Sequence, residues 1–356
     1  MNVTFLIGNG FDLNLGFRTR YIDFLDNYYL SQDQSSDPRI KEFKGTLKAD
    51  KESWADAELA FGKLTGLFKN ESDFLYCHAD FCRKLSEYLK KETSGMEFLF
   101  ENELAKSFTM AMMTFFDNIQ NFYKEKIVAS CSRDCALDFY FINFNYTYTL
   151  DTYIDSISKD KHSFAQIELS RSLVHLSIQG KIHIHGTVDR DMILGVNDES
   201  QVDNIHFANS RKFRTPFLKQ VANQRLHNLK TEQSSQYISD SDVICIFGMS
   251  LGETDRIWWE KIGDWLLEDT DHLLVIYEYR NSFNPILPNE LITMEEDVQD
   301  KFFSYNEKFK TMSELEKEEM REQISVAINT DMFANLRNST QYILNRPDPD
   351  LTTADV

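Results

Sequence analysis

The residues best suited to chemistry in this sequence are glycines at two turns and polar side chains at the ends of apolar runs. Gly8-Asn9-Gly10 follows the run Val3 to Ile7 and precedes Leu13, Leu15, Tyr21 and Phe24 at helical spacing. Glycines at a strand-to-helix turn let backbone N–H groups approach a phosphate. Leu13 stands where the dinucleotide fingerprint has its third glycine, and no Gly-Lys-Ser/Thr follows for a P-loop. The turn therefore reads either as a tight structural turn or as a cradle in which Gly8, Asn9 and Gly10 meet a nucleotide. Asp12 either caps the helix or binds a ribose hydroxyl. A carboxylate facing a pyrophosphate is costly, so its ligand role points to the ribose.

Asn145 closes the run Leu137 to Ile142, with Tyr146 and Thr147 directly after it. An amide at the carboxyl end of a strand is placed to hold a ribose or a water, or simply to make an Asn turn. His183 and His185 alternate, which on one strand places them on the same face, and Gly186 follows. No third ligand stands at usable spacing, so no metal is expected. His185, beside Gly186, suits a general base or a hydrogen-bonded core histidine. A second glycine turn, Gly248-Met249-Ser250-Leu251-Gly252, follows the run 243–247. Gly248 and Ser250 would form the other wall of a nucleotide cleft, while Ser250, Thr254 or Asp255 caps the next helix. The two turns are expected on adjacent strands.

The elements that position these residues read as α/β. Near-continuous apolar runs at 243–247 and 273–277 suit strands buried on both faces of a parallel sheet, with a helix over Asp255 to Leu267 between them. Further strands are expected at Ile182–His185, at Met192–Leu194 and at Ile324–Ile328. The expected fold is α/β, a Rossmann-like parallel sheet from residues 1–28 and 136–280. A helical insertion (29–135) covers the pocket mouth, with a loop from Ser31 to Pro38 leading into it. A C-terminal extension (281–344) and a disordered tail (345–356) complete the chain.

Composition narrows the function. Thirty-eight basic against 57 acidic residues give a net charge of −19, which argues against a nucleic-acid coat. No clustered carboxylates stand at metal-ligand spacing, which ranks a nuclease last. Five cysteines, an odd number, and the absence of a secretion-type start point to a reducing, cytoplasmic compartment. No run of about 18 apolar residues exists, so no membrane span is expected. The cysteine spacings fit no zinc knuckle, and Trp258-Trp259 reads as core.

As an ordered set these segments resemble the AbiH family of bacteriophage abortive-infection proteins. The resemblance rests on Ile7-Gly8-Asn9-Gly10-Phe11-Asp12-Leu13 with Leu15-Gly16 and Tyr21-Ile22-Asp23-Phe24. It continues through Asn143-Phe144-Asn145-Tyr146-Thr147, His183-Ile184-His185-Gly186 and Ile193-Leu194-Gly195, and ends in Phe247-Gly248-Met249-Ser250-Leu251-Gly252 with Asp255. It adds Gly16 to the nucleotide-binding candidates and implies anti-phage defence. More remotely, the order is similar to the sirtuin-type NAD-binding fold of phage-defence NAD hydrolases. Gly8 and Gly10 match its first turn, with Asp12 replacing a Ser. Asn145-Tyr146 match its catalytic Asn segment, with Thr147 replacing an Asp. His185-Gly186 match its His segment, and Gly248 with Ser250 its last turn. This second resemblance implies NAD as substrate or ligand, Asn145 and His185 as catalytic residues, and a nucleotide as partner. A non-catalytic sensor of a nucleotide or phage-derived trigger, acting by homo-oligomeric assembly, is the alternative.

Overall fold

The computed structural model describes residues 1–30, 37–49, 56–96, 101–117, 119–134, 136–157, 163–226, 229–281 and 287–344. Most of the expected loop at Ser31–Pro38 and the whole expected tail at 345–356 lie outside the described residues.

Seven strands form one sheet: β1 (Asn2–Ile7), β2 (Ala136–Asn143), β3 (Ala165–Leu169), β4 (Ser172–His183), β5 (Val243–Phe247), β6 (Leu273–Glu278) and β7 (Ile324–Ile328). Their order is β3-β4-β2-β1-β5-β6-β7. Every pairing is parallel except the β3–β4 hairpin at one edge. The chain steps outward from β1 through β2 to β4, then returns to the other side of β1 for β5, β6 and β7. The reversal falls between β1 and β5, the place where open α/β sheets bind ligands beyond their strand ends.

The helices are α1 (Gly10–Leu15), α2 (Tyr21–Leu30), α3 (Pro38–Ala49), α4 (Ala57–Leu64), α5 (Glu71–Glu92), α6 (Glu101–Met113), α7 (Asn121–Asp134) and α8 (Thr149–Ile157). After β4 come α9 (Ile205–Ala208), α10 (Arg211–Phe217), α11 (Lys219–Arg225), α12 (Lys230–Ser239) and α13 (Arg256–Leu266). The last four are α14 (Pro288–Phe303), α15 (Glu307–Thr311), α16 (Glu314–Arg321) and α17 (Ala334–Leu344).

Alternation along the strands sorts their side chains between two layers. Phe5, Ile7, Phe139, Phe141 and Cys245 join Phe11, Phe108, Tyr153 and Leu336 on one face. Leu6, Ile142, Ile246 and Ile276 join Trp258, Trp259, Phe302 and Phe309 on the other. A third core forms from α2–α5 and the segment after β4, around Phe24, Phe61, Phe81, Val196 and Phe217. Tyr146, just beyond β2, belongs to this third core and so ties it to the carboxyl ends of the strands.

Several expectations need revision. The helical stretch 29–135 divides, because Leu104, Phe108 and Ile127 lie on the sheet while α3–α5 build the separate core. The strand expected at Ile324–Ile328 is present as β7 and pairs with β6, so the sheet runs beyond residue 280 into the extension. Met192–Leu194 is not a strand. Its one ladder-like bond is Ile193 N–H to the His185 carbonyl at 2.9 Å, and a short buried apolar run fits irregular chain as well as a strand. β4 ends at His183, so His185 lies in the turn beyond it and the two histidines do not share a strand face.

Candidate functional site

The two glycine turns do lie on neighbouring strands, and they touch. Gly10 N–H donates to the Gly248 carbonyl at 2.8 Å and Gly8 N–H to the Phe247 carbonyl at 2.9 Å. A Cβ on Gly10 would fall 2.4 Å from the Gly248 Cα, and one on Gly8 would fall 2.6 Å from the Gly248 oxygen. Gly248 also has φ +69°, which side chains resist. Backbone-to-backbone contact thus requires these glycines. Gly16 has a different duty: with φ 99° it ends α1 in the left-handed cap, its N–H returning to Leu13 O. Asn9 exchanges bonds with Thr19: its Oδ1 accepts from the hydroxyl at 2.6 Å and its Nδ2 donates to the carbonyl at 3.2 Å. Ser250 is exposed, and its carbonyl accepts from Lys301 Nζ at 2.6 Å.

Asp12 does not cap its helix, since Asn9 holds the N-cap position without a side-chain bond. Instead Thr147 Oγ1 donates to Asp12 Oδ2 at 2.6 Å and Thr149 Oγ1 donates to Oδ1. Both carboxylate oxygens are occupied by the loop after β2. Burial pushes the Asp12 carboxyl up to about 6, against the two hydroxyls and His183, which favour its ionised form. The Asn145 amide donates to the Gly8 carbonyl at 3.0 Å. The Asn145 carbonyl and an Asp151 oxygen sit at 2.9 and 2.7 Å from the two ring nitrogens of His183. Asn143 is almost fully buried, its Oδ1 accepts from Asn145 N–H at 3.0 Å, and its Nδ2 has no partner among the described residues.

His185 belongs to a second network. Its Nε2 lies 3.0 Å from Asp255 Oδ1, and its Nδ1 is buried with no partner among the described residues. Lys219 Nζ donates to the same Asp255 oxygen at 2.9 Å, to Glu58 Oε2 at 2.6 Å and to Thr254 O at 3.2 Å. Tyr146 OH reaches Glu58 Oε1 at 3.3 Å. Against burial, Lys219 and His185 hold the Asp255 carboxyl well below its ordinary range. Burial raises Glu58 to about 7, with Lys219 opposing and Asp255 adding. Burial and then Lys219 lower the His185 pKa, and Asp255 works the other way. An ionised Asp255 requires the imidazole proton on Nε2, which leaves Nδ1 as a lone pair. His185, Asp255, Lys219, Asn223, Thr254 and Trp258 help line a cavity of about 20 Å³, which is room for about one water molecule. Asn145 does not line it.

An arrangement of this kind, imidazole held by a carboxylate with its other nitrogen open, can accept a proton from a hydroxyl or a water. Among the described residues no group of three or more His, Cys, Asp or Glu is placed to hold a metal ion. A family model described as bacteriophage abortive infection AbiH matches residues 4–277, well over half of the chain. The chain belongs to the AbiH family. No curated protein matches it. The matched span covers both glycine turns, the Asn145 segment and the whole His185 network of this AbiH chain. Among the described residues no helix is long and apolar enough to cross a membrane.

Sequence reasoning placed Asp255 only as a helix cap and missed Glu58 and Lys219. Asp255 stands at the N-cap of α13 but makes no cap bond, because its carboxylate turns to His185 and Lys219. Glu58 carried a signal. It lies one turn before Phe61 on the apolar stripe of α4, where a carboxylate needs a buried partner. Lys219 follows Phe217-Leu218 without any such pattern and is legible only in three dimensions.

Proposed function

We propose that this chain serves bacteriophage abortive infection as a hydrolase of NAD or a related nucleotide, with His185 as general base. Family membership supports abortive infection. The single observation supporting catalysis is the buried Nδ1 of His185, which has no partner among the described residues, opposite an Asp255-bound Nε2. In the proposed reaction water adds to the ribosyl carbon as the bond to the nicotinamide nitrogen breaks. The water proton passes to His185 Nδ1, and Asp255 stabilises the imidazolium that forms. Asn145, which lies outside the cavity beside His185, would hold the ribose through Oδ1.

The sensor reading has its own support. The contact between the Gly8–Gly10 and Gly248 turns uses two backbone amides that a phosphate would need, and Asp12 has both oxygens engaged. That favours a chain that binds a trigger and signals by assembly. One experiment separates the two. Purified protein is incubated with NAD, with and without extract of phage-infected cells, and nicotinamide release is measured. Release lost in His185→Gln supports the hydrolase. No release under either condition moves the sensor reading to first place.

A further inference from the structure

We infer that Lys219 is a positioning residue for His185: it fixes Asp255 as the acceptor of the Nε2 proton and so leaves Nδ1 as the open lone pair. The inference rests on the hydrolase reading for its purpose, and on geometry for its content. Asp255 Oδ1 receives two donors at once, His185 Nε2 at 3.0 Å and Lys219 Nζ at 2.9 Å. All three Lys219 donors are used, on Asp255, Glu58 and the Thr254 carbonyl. The ammonium is therefore locked in orientation, and both it and Glu58 are buried.

Without that ammonium, Asp255 would be a buried carboxylate with His185 as its counter-ion. An imidazole in that position gains a proton, because an unpaired buried charge is far costlier than an ion pair. Nδ1 would then carry hydrogen and lose its capacity as a base. With Lys219 present the carboxylate is already neutralised, and a second cation nearby repels a second proton. Lys219 and Asp255 are the charged groups that act most strongly on His185, and Lys230 on α12 adds a weaker positive charge. Glu58 sits one step behind Lys219, its carboxylate 2.6 Å from the ammonium. The inserted helix α4 thereby reaches the candidate base through Lys219.

The test reads His185 itself, by nitrogen NMR of histidine-labelled full-length protein, with the signal assigned by its loss in His185→Gln. Wild type is expected to show a neutral ring at pH 7 with hydrogen on Nε2. Lys219→Met leaves two carboxylates facing each other, so it is made in the Glu58→Gln background, which removes the opposed charges together. In Glu58→Gln/Lys219→Met the titration midpoint of His185 should rise by roughly one pH unit or more relative to Glu58→Gln alone. Glu58→Gln/Lys219→Arg, which keeps the charge, should restore it. A wild-type ring with hydrogen on Nδ1, a midpoint unmoved by Lys219→Met, or a midpoint as high with Arg as with Met overturns the inference. Since NAD turnover is not read, absence of hydrolysis would remove the hydrolase reading without deciding the role of Lys219.

Discussion

The side-chain amide of Asn145 donates to the backbone carbonyl of Gly8 at 3.0 Å, joining the end of β2 to the turn that leaves β1. A residue in a candidate catalytic position thus also carries structure. Asn145→Ala is expected to cost about 0.5–1.5 kcal/mol, the usual net contribution of one hydrogen bond, since the Gly8 carbonyl still accepts from Phe11 N–H. Asn145→Asp should cost more, since a carboxylate would face the Gly8 carbonyl oxygen. Denaturant unfolding at pH 7 measures both. A midpoint unchanged in Asn145→Ala would mean that the bond contributes nothing, and any loss of activity in that variant would then belong to chemistry.

The glycine turns make a prediction whose sign is informative. Gly10 is the first residue of α1, where alanine propensity alone would stabilise by up to about 1 kcal/mol. The new Cβ, however, would overlap the Gly248 Cα at 2.4 Å. Neither backbone can yield without breaking the Gly10 N–H to Gly248 O bond. Gly10→Ala should therefore destabilise, by about 1–3 kcal/mol, as overpacking does. Thermal melts of Gly10→Ala, Gly248→Ala and the double variant should show costs that fall short of additive, because both changes open the same contact. A stabilised Gly10→Ala would contradict the packing role.

What the sequence showed and what it hid follow from the range of the forces involved. Unbroken apolar runs such as Val243–Phe247 and Leu273–Tyr277 identified parallel strands, because both faces are buried. The β3–β4 edge was not foreseen, nor the first part of β4. β3 alternates only between partly buried and exposed residues, the first part of β4 buries just Val174 and Leu176 between exposed ones, and the turn uses Ser170 and Arg171 at φ 47° and 70° in place of the usual Asn-Gly. The break between α1 and α2 was hidden too, since Leu13, Tyr21 and Phe24 would share one helical face across the left-handed cap at Gly16. At the site, residues beside glycines were found and distant partners were not. Asp12 meets Thr147 and Thr149, and Asp255 meets both His185 and Lys219, across separations that no local pattern encodes.

Asp12 gives a pH prediction. Its carboxyl is raised from 3.8 to about 6, chiefly by burial. Between those values the folded state holds a proton that the unfolded chain has lost, so stability falls as pH rises through this window. The shift corresponds to about 3 kcal/mol at most, fully expressed above pH 6. Glu58, raised to about 7, acts in the same direction. Asp12→Asn should flatten the decline between pH 4 and 6 and leave the Glu58 part in place. Urea unfolding at half-unit steps of pH checks this, and an Asp12→Asn curve parallel to wild type would remove Asp12 as the cause.

His185 behaves oppositely, and that separates chemistry from structure. Its folded pKa lies below the ordinary 6.5, chiefly through burial and then through Lys219. The unfolded chain therefore binds a proton that the folded state refuses, and the stability tied to this residue is lost as pH falls below about 6.5. His185→Gln should abolish that acid-side loss. At pH 7 the ring is already neutral, so the variant should change stability by no more than about 1–3 kcal/mol, the cost of losing one of the two donors on the Asp255 carboxylate. Turnover should fall far more, on the order of 100- to 10,000-fold, if His185 is the base. Asp255→Asn should likewise depress turnover, and it should also cost stability, because Lys219 loses an ionic partner in a buried site. Melting temperature and nicotinamide release are to be measured on the same preparations. Release falling in proportion to the folded fraction would make His185 a core histidine. Release lost with folding retained would make it the base.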